Sequence, residues 1–304
     1  MPAPVCLIVN PAAGGGRAGR LAPAVEQALA GHGLQLRRVD TRHLDHAREL
    51  AAEAANAGET VVALSGDGMI GALADVLRRV PDSLLGVLPG GRGNDLARVL
   101  EIPEDPIAAC AVIAHGTPRA VDLGEVEGQA FVGIASAGFD SDANRIANEA
   151  PSRLGNLVYA YGALRALASW RPARFEIELD GGSSPARKFS FSGYTIAAAN
   201  SGVYGGGMRL APDARLDDGL LDIVAIEQVS KPRFLANLPK VFKGAHVRLP
   251  TVQVLQAAEV TISADRPFTL YADGDPIAQL PTRIRALPGA VRVLVPAGVL
   301  VPGP

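Results

Sequence analysis

The stretch Ser65-Gly66-Asp67-Gly68 places an acidic side chain between two glycines. It follows the apolar run Val61–Leu64 and precedes a helical pattern that starts at Met69. Glycines let a ligand approach the backbone closely, and the carboxylate of Asp67 could hold a magnesium ion through water or accept a proton. A simple Asp-Gly turn has the same composition, so both interpretations are open at this position.

Two further stretches have the composition of phosphate-binding loops. Gly14–Gly16 and Arg17 follow an apolar run, and glycine N–H groups ahead of a helix suit a polyphosphate. The Gly-Lys-Ser/Thr ending of a Walker A loop is missing, and a tight turn would look the same. Residues 89–95 repeat the glycine-rich pattern; there Asn94 fits a helix N-cap, with Asp95 in the first turn.

Acidic residues cluster twice in the second half of the chain. Residues 200–224 carry four of them around a glycine-rich turn: Asp213, Asp217, Asp218 and Asp222. Magnesium and calcium favour such oxygen-rich loops, whereas a solvated hairpin is the alternative. Asp273 and Asp275 flank Gly274, and on an extended chain their carboxylates would lie on one side. Their like charges could then raise one pKa towards general-base use, and a β-turn is the alternative.

The elements that must position these residues alternate in the first third of the chain. Strand patterns occur at 5–10, 34–39, 60–64 and 84–88, and helical patterns at 21–30, 43–57 and 69–80. This alternation predicts a parallel sheet with right-handed crossovers, in which ligands bind beyond the carboxyl ends of the strands. Three of the four loops at those ends are glycine-rich, which favours a binding site there.

From about residue 118 the pattern becomes β-rich. Strand patterns occur at 119–126, 130–136, 174–179, 188–200, 220–226, 258–263 and 268–274, and helical patterns at 154–169 and 231–243. Turns at Glu127-Gly128 and Asp180-Gly181 predict antiparallel pairing and a β-sandwich-like second domain. A last strand pattern at 291–296 could close either domain. We expect residues 1–120 with 288–304 to form the α/β domain and 121–287 the β-rich substrate domain.

Composition excludes several classes of protein. The net charge of −2 gives no basic domain for nucleic acid, and the two cysteines have no metal-ligand spacing. No signal peptide and no run of about 18 apolar residues is present. We expect a cytoplasmic protein whose contact with the inner face of the membrane, if any, is peripheral. His43 and His46 have no third ligand partner, and we interpret them as surface residues.

Taken in order, these motifs resemble the diacylglycerol kinase catalytic-domain family, which includes sphingosine and ceramide kinases. The resemblance covers nearly the whole chain. The motifs that carry it are Asn10-Pro11 with Gly14–Gly16, Ser65–Gly68, Leu88-Pro89 with Gly93–Arg98, Ser136–Asp140, Ala211-Pro212 with Asp218–Asp222, and Asp273–Asp275. It implies a phosphofructokinase- and NAD-kinase-like α/β nucleotide domain joined to a β-sandwich domain, with the active site in the cleft between them.

The resemblance also implies roles for individual residues. The nucleotide would contact Asn10, Pro11, Gly14, Thr41, Ser65, Gly66, Asp67, Gly68, Met69 and Gly71, with Arg92 and Asn94 in the same set. A structural Mg²⁺ would bind the Asp218 carboxylate and the backbone oxygens of Arg215 and Leu220. Asp273, supported by Asp275, falls on the family's proton-acceptor motif. Asp67 would position Mg²⁺–ATP and is the alternative base.

The sequence departs from the family pattern at the nucleotide loops. Met69, Gly71 and Ala72 stand where the family usually has Thr, Asn and Glu, and Arg92 stands in place of another Thr. Two hydroxyls that would face nucleotide or phosphate are therefore absent. Arg92 could replace one of them by pairing with phosphate charge.

The resulting functional hypothesis is an ATP-dependent lipid kinase. It would phosphorylate diacylglycerol or a related lipid hydroxyl, giving phosphatidic acid or an analogous phospholipid, as a monomer or homodimer. The alternatives are a kinase of a soluble hydroxyl substrate, as in NAD kinases, and a nucleotide-binding regulator with weak catalysis. The arginine-rich stretch 153–175 could rest on an anionic membrane; we favour a helix packed on the β-domain with solvated arginines.

Overall fold

Residues 3–139, 141, 142, 146, 158–180 and 187–298 are described by a computed structural model of the chain. They form two units. Unit 1 comprises the described residues of Met1–Leu123, Ala130–Val132 and Pro288–Pro304, and unit 2 those of Gly124–Gln129 and Gly133–Leu287. Among the described helices, none combines the length and apolar character that crossing a bilayer requires.

Unit 1 is built on four parallel strands in the order β2-β1-β3-β4. These strands are β1 (Val5–Val9), β2 (Leu36–Asp40), β3 (Thr60–Ser65) and β4 (Leu85–Pro89). The helices described here are α1 (Ala13–Gly31), α2 (Leu44–Asn56), α3 (Asp67–Leu77), α4 (Asp95–Val99) and α5 (Pro106–His115). Strands β5 (Thr117–Val126) and β6 (Gln129–Phe131) follow. The predicted parallel sheet is confirmed.

Continuous apolar strands explain why this sheet is covered on both faces. Every residue of β1 and of β3 is buried, and successive side chains of a strand point to opposite faces. Helix α1 packs against α5, and its buried residues recur at helical spacing: Ala18, Ala22, Val25 and Leu29. Small alanine side chains let the helix lie close to its neighbours.

The first two helices begin at residues other than those that the sequence predicts. The helix predicted over 21–30 extends from Ala13 to Gly31, and Gly14–Gly16 form a left-handed turn near its start, with φ of 61°, 67° and 86°. The helix predicted from 43 begins at Leu44 because the His43 side chain accepts a hydrogen bond from the His46 N–H and so serves as N-cap. This exposed cap gives His43 a structural role at the start of α2.

Unit 2 is an antiparallel arrangement in the order β14-β13-β7-β9-β8-β12-β15, with β10 between β9 and β11. Its strands are β7 (Ile134–Gly138), β8 (Ala173–Leu179), β9 (Arg187–Ala199), β10 (Leu221–Glu227), β11 (Val252–Ala257), β12 (Glu259–Ala264), β13 (Thr269–Ala272), β14 (Asp275–Gln279) and β15 (Thr282–Val295). Its described helices are α6 (Val158–Ser169), α7 (Lys231–Val241) and a 3₁₀ helix (Ala245–Arg248).

The sequence prediction was wrong or incomplete for three strands of the second half of the chain: β11, β14 and β15. The first two were not predicted, and the strand expected at 291–296 begins at Thr282. Its first residues pair with β12 in unit 2, and Val293 pairs in parallel with Leu85 in unit 1. The single strand predicted over 130–136 is divided into β6 and β7 at Gly133. There the Gly133 carbonyl accepts hydrogen bonds from the N–H groups of Asn200 and Ser201.

An aromatic cluster forms part of the core of unit 2. The rings of Tyr194 and Phe234 stack at 4.0 Å, and the Tyr194 hydroxyl donates to the Val229 carbonyl at 2.9 Å. Trp170, just beyond α6, stacks on Tyr194 and is buried. The part of the 153–175 stretch that is described therefore packs on the β-rich unit, with three arginines exposed: Arg165, Arg171 and Arg174. Residues 153–157 lie outside the described residues.

His246 in the 3₁₀ helix is buried and neutral. Its Nε2 lies 3.0 Å from the Leu210 carbonyl, and its buried Nδ1 has no hydrogen-bond partner among the residues that the structure describes. Burial is the main cause that lowers the pKa of His246, since a charged imidazolium there would lose its hydration.

We expect the free energy of unfolding to fall as the pH drops below about 6.5, where the unfolded chain takes up a proton that folded His246 does not. The contribution of this one residue reaches at most about 1.4 kcal/mol per pH unit. The measurement is urea unfolding between pH 7.5 and 5.5 for the wild type and His246→Gln. The variant should lack this component; parallel pH dependences would contradict the prediction.

Candidate active site

The loops after the parallel strands meet at one edge of the sheet. The Asn10 N–H donates to Leu64 O at 3.2 Å, and the Thr41 N–H donates to Val9 O at 2.7 Å. The Gly90 N–H donates to Ser65 O at 2.8 Å. The four loops that the sequence singles out are thus neighbours at the carboxyl ends of β1 to β4, where open α/β sheets bind ligands.

Glycines let these loops touch backbone to backbone. A Cβ on Gly14 would lie 2.5 Å from the Gly90 carbonyl oxygen, and one on Gly90 would lie 3.0 Å from the Ser65 nitrogen. A Cβ on Gly91 would collide with Gly66. Backbone N–H and C=O groups therefore line the edge with little side-chain cover, as a phosphate site requires.

Asp67 is the carboxylate at the centre of these loops. Its Oδ1 accepts a hydrogen bond from the Leu96 N–H at 3.3 Å, so a residue of α3 caps the N-terminus of α4. Burial, and then the charge of Asp95, raise the pKa of Asp67; the N–H groups of Leu96, Asp95 and Asn94 act in the opposite direction. The alternative interpretation of an isolated Asp-Gly turn is not the one observed, because Asp67 and Gly68 form the first turn of α3.

Asn94 occupies the N-cap position of α4 and Asp95 lies in its first turn, as the sequence predicts. Asn94 has φ of 52°, and its side chain makes no capping hydrogen bond. Its amide instead accepts from the Gly91 N–H at 2.8 Å and donates to the Gly91 carbonyl at 3.2 Å. The left-handed backbone turns the side chain back onto its own loop, and the capping hydrogen bond at Leu96 comes from Asp67 instead.

Several arginines near the glycine loops have no counter-charge. Other arginines of unit 1 form ion pairs with carboxylates, among them Arg37, Arg38, Arg48, Arg78 and Arg98. The side chains of Arg17, Arg42 and Arg92 make no ion pair or hydrogen bond with any residue in the described part of the chain. These three follow β1, β2 and β4. Their charges suit a polyphosphate.

Arg42 was missed by the sequence analysis, which singled out only the neighbouring Thr41. The available signal was a basic residue shortly after the carboxyl end of a predicted strand.

The other residues expected to contact the nucleotide differ in how exposed they are. Met69 is only 5% exposed and Gly71 and Ser65 are buried, whereas Asn10, Pro11 and Thr41 are half-buried. Asn10 Oδ1 accepts from the Ala12 N–H at 3.1 Å.

Asp273 and Asp275 lie in unit 2, in the hairpin of β13 and β14. The expectation of an extended chain is wrong, because Asp273 and Gly274 have φ of 51° and 96° and form a two-residue turn. The Asp273 Oδ1 accepts from the N–H groups of Gly133 at 2.9 Å and Ile134 at 3.2 Å. Asp275 is exposed and pairs with Ala272. Asp140, part of another predicted motif, lies outside the described residues.

The acidic loop of unit 2 places Asp213 and Asp218 near enough to Asp222 to affect its charge, without forming a cluster of metal-ligating side chains among the described residues. No group of three His, Cys, Asp or Glu side chains in the described ranges has metal-binding geometry. Asp218 Oδ1 accepts from the Leu220 N–H at 3.0 Å, and Arg215 pairs with Asp217 at 3.2 Å. Burial, followed by the charges of Asp218 and Asp213, raises the pKa of Asp222 to about 6.

This charge distribution fits a hard cation held by few carboxylates. Asp222 is only 4% exposed, and its partner Gln256 Nε2 is 3.5 Å away. A cation bound at Asp218 would offset the negative charge that Asp222 feels. The backbone oxygens of Arg215 and Leu220 lie in the same loop, so the donor types of the expected magnesium set are present.

Comparison with known protein families divides the chain in two. Residues 4–126 match the diacylglycerol kinase catalytic domain, and residues 133–295 match the YegS C-terminal NAD kinase beta sandwich-like domain. The prediction of an α/β domain followed by a β-sandwich-like domain is confirmed by these matches.

Similar proteins cover almost the whole chain. A diacylglycerol kinase of Mycobacterium tuberculosis is 33% identical over 96% of this chain and 95% of its own. A Stenotrophomonas maltophilia protein described as "Probable lipid kinase YegS-like" is 31% identical over 88% of this chain and 89% of its own. A crystal structure of a diacylglycerol kinase from Bacillus anthracis has the same fold, with a TM-score of 0.76 over 98% of both chains at 21% identity.

We expect Gly14→Ala to weaken Mg²⁺–ATP binding strongly and to lower the melting temperature, because its Cβ would meet the Gly90 carbonyl. Gly15→Ala is the matched control. Gly15 has a similar φ of 67°, and no atom lies within 4 Å of its added Cβ. The measurement is calorimetric titration with Mg²⁺–ATP alongside thermal unfolding. Equal effects of the two substitutions would show that backbone strain, and not loop contact, decides the result.

Proposed function

This chain belongs to the diacylglycerol kinase catalytic-domain family of lipid kinases, and on that premise we propose that it transfers the γ-phosphate of ATP to the hydroxyl of diacylglycerol or a related lipid. The product would be phosphatidic acid or an analogous phospholipid. The observation that carries the proposal is the carboxyl-end edge of the parallel sheet. There, glycine loops in backbone contact and the carboxylate of Asp67 follow the strands, as do three arginines whose side chains have no partner among the described residues.

The nucleotide would bind along this edge of unit 1. Backbone N–H groups of the Gly14–Gly16 turn and the N-terminal ends of α1 and α3 attract phosphate oxygens. The guanidinium groups of Arg17, Arg42 and Arg92 would neutralise the triphosphate. Arg92 would thereby supply the phosphate contact that a threonine makes in the family pattern.

Magnesium would have two roles in this proposal. With ATP bound, it would supply positive charge that neutralises the phosphates, and Asp67 would orient the complex. In unit 2, the Asp218 carboxylate and the backbone oxygens of Arg215 and Leu220 would hold a structural ion. The excess negative charge at Asp213, Asp218 and Asp222 supports this second assignment.

Phosphate transfer would then need only a proton acceptor and accurate positioning. The lipid hydroxyl oxygen forms a bond to the γ-phosphorus as the bond to the β,γ-bridging oxygen breaks, and ADP leaves. The hydroxyl proton passes to a carboxylate. We assign this role to Asp273, whose orientation is set by the N–H groups of Gly133 and Ile134, with Asp275 in support. Asp67 is the alternative acceptor.

The kinase proposal is tested by transfer of labelled γ-phosphate to lipids in mixed micelles, with diacylglycerol, monoacylglycerol, ceramide and sphingosine assayed separately. Asp273→Asn should lower kcat by about 100-fold or more, since it removes the base and keeps the oxygen that accepts from Gly133. Asp67→Asn should also lower activity. It should leave the melting temperature unchanged or raised at pH 8, because it removes a buried charge beside Asp95.

Ile107→Ser, an exposed change in unit 1, serves as the control for lipid phosphorylation. Absence of any labelled lipid despite Mg²⁺–ATP binding would refute the lipid kinase proposal and favour a soluble substrate or a regulatory role. Full activity of Asp273→Asn together with an inactive Asp67→Asn would reassign the base to Asp67.

We expect Arg92→Ala to raise the KM for ATP about tenfold with a smaller change in kcat, because a charged contact to phosphate is lost. Arg92→Thr, which restores the hydroxyl of the family pattern, should recover part of the affinity. Arg48→Ala removes the same charge at a position paired with Asp45 and is the matched control. An unchanged KM in Arg92→Ala would exclude Arg92 from the nucleotide site.

A further inference from the structure

Residues 228–258 of unit 2 contain no acidic residue, although the whole chain has more acidic than basic residues, 31 against 29. The same segment carries five cationic residues: Lys231, Arg233, Lys240, Lys243 and Arg248. It includes α7, the 3₁₀ helix and strand β11, which are in contact through the 3₁₀ helix. We call the exposed residues of 231–256 the α7–β11 surface.

Exposed apolar side chains concentrate on the same surface. Five large hydrophobic residues are exposed in the described chain, and three of them lie here: Leu235 at 40%, Phe242 at 54% and Val254 at 39%. Leu235 and Phe242 are seven residues apart, which places them on the same side of α7 and its C-terminal extension. The excess of cationic residues and the exposure of large apolar side chains are independent properties, and both are concentrated in this segment.

The inner face of α7 fixes which residues point outward. Phe234 is buried against Tyr194, with ring centroids 4.0 Å apart. The Lys231 ammonium donates to the Ala168 carbonyl at 2.9 Å, and Val241 packs on the apolar cluster that contains Leu210. Leu235 therefore points outward because the opposite side of the helix is anchored in the core.

The remaining cations of the surface are available to a ligand. Arg233, Lys240, Lys243 and Arg248 are exposed, and their side chains form no ion pair or hydrogen bond with the residues that the structure describes. By contrast, Lys188 on β9 of the same unit pairs with Glu178 at 2.8 Å. Four unpaired cations beside exposed apolar groups fit a partner that is both anionic and apolar.

We propose that the α7–β11 surface docks the protein on an anionic lipid bilayer. This inference rests on the proposed function, since a diacylglycerol substrate stays in the bilayer from which the enzyme must take it. Leu235, Phe242 and Val254 enter the interfacial region, and the lysines and arginines pair with anionic headgroups. A twofold dimer through this surface would set its cations against the same cations of a second copy, which disfavours that occupant.

The test is co-sedimentation with vesicles of phosphatidylcholine, alone or mixed with phosphatidylglycerol, in the absence of ATP. The wild type should bind the mixed vesicles, and less so as salt is added. Lys240→Gln with Lys243→Gln should weaken binding at least about tenfold, and Phe242→Ser several-fold. The double variant Arg187→Gln/Lys188→Gln on β9 removes the same two positive charges outside the α7–β11 surface. This control protein should bind the vesicles as the wild type does. Ile107→Ser is the matched control for Phe242→Ser.

Equal binding to both vesicle types, or equal binding by the Lys240/Lys243 variant and its β9 control, would overturn the proposal. So would a dimer in sedimentation velocity that Phe242→Ser dissociates while vesicle binding is unchanged, because the surface would then join two copies. The co-sedimentation contains no ATP, so its result does not depend on catalysis. A protein that binds the mixed vesicles here but labels no lipid in the micelle assay with ATP would refute the kinase proposal and leave docking intact. The Lys240/Lys243 variant should phosphorylate a soluble short-chain diacylglycerol at the wild-type rate and lose rate only on diacylglycerol held in vesicles. An equal loss of rate on the soluble and the vesicle-bound substrate would contradict a docking role.

Discussion

Backbone contact between glycine loops is the constraint on which the rest of unit 1 depends. Gly14 approaches Gly90, and Gly66 approaches Gly91, more closely than any side chain would allow. This contact brings the ends of β1, β3 and β4 together, and it places Asp67 within reach of the N–H groups of α4. The raised pKa of Asp67 follows from the same crowding, since the loops exclude water from the carboxylate.

Unpaired positive charge is the second organising feature of the molecule. Most arginines of unit 1 have carboxylate partners, yet Arg17, Arg42 and Arg92 have none among the described residues. The α7–β11 surface repeats this pattern in unit 2. In a chain whose net charge is −2, cations without counter-ions among the described residues at two separate places support the two proposals, a nucleotide at one and a lipid surface at the other.

The sequence predicted those parts of the fold that depend on local pattern. Apolar runs separated by helical periodicity predict the parallel strands, and glycines after them predict the binding edge. The hydrogen bond that caps α4 could not be predicted, because it depends on the left-handed backbone of Asn94 and on Asp67, 27 residues earlier. The turn at Asp273-Gly274 was one of two readings of the same residues. Strand β11 was missed because its glutamines interrupt the apolar pattern.

Strand β15 has a consequence for how the chain is made. Its residues up to Leu287 belong to unit 2, and those from Pro288 onward belong to unit 1. The parallel sheet of unit 1 therefore gains its partner for β4 only after the whole of unit 2 has left the ribosome. Unit 1 cannot complete its fold in the N-terminal-first order usual for multidomain chains. During synthesis the edge of β4 stays open, a state in which a chaperone could bind the nascent chain.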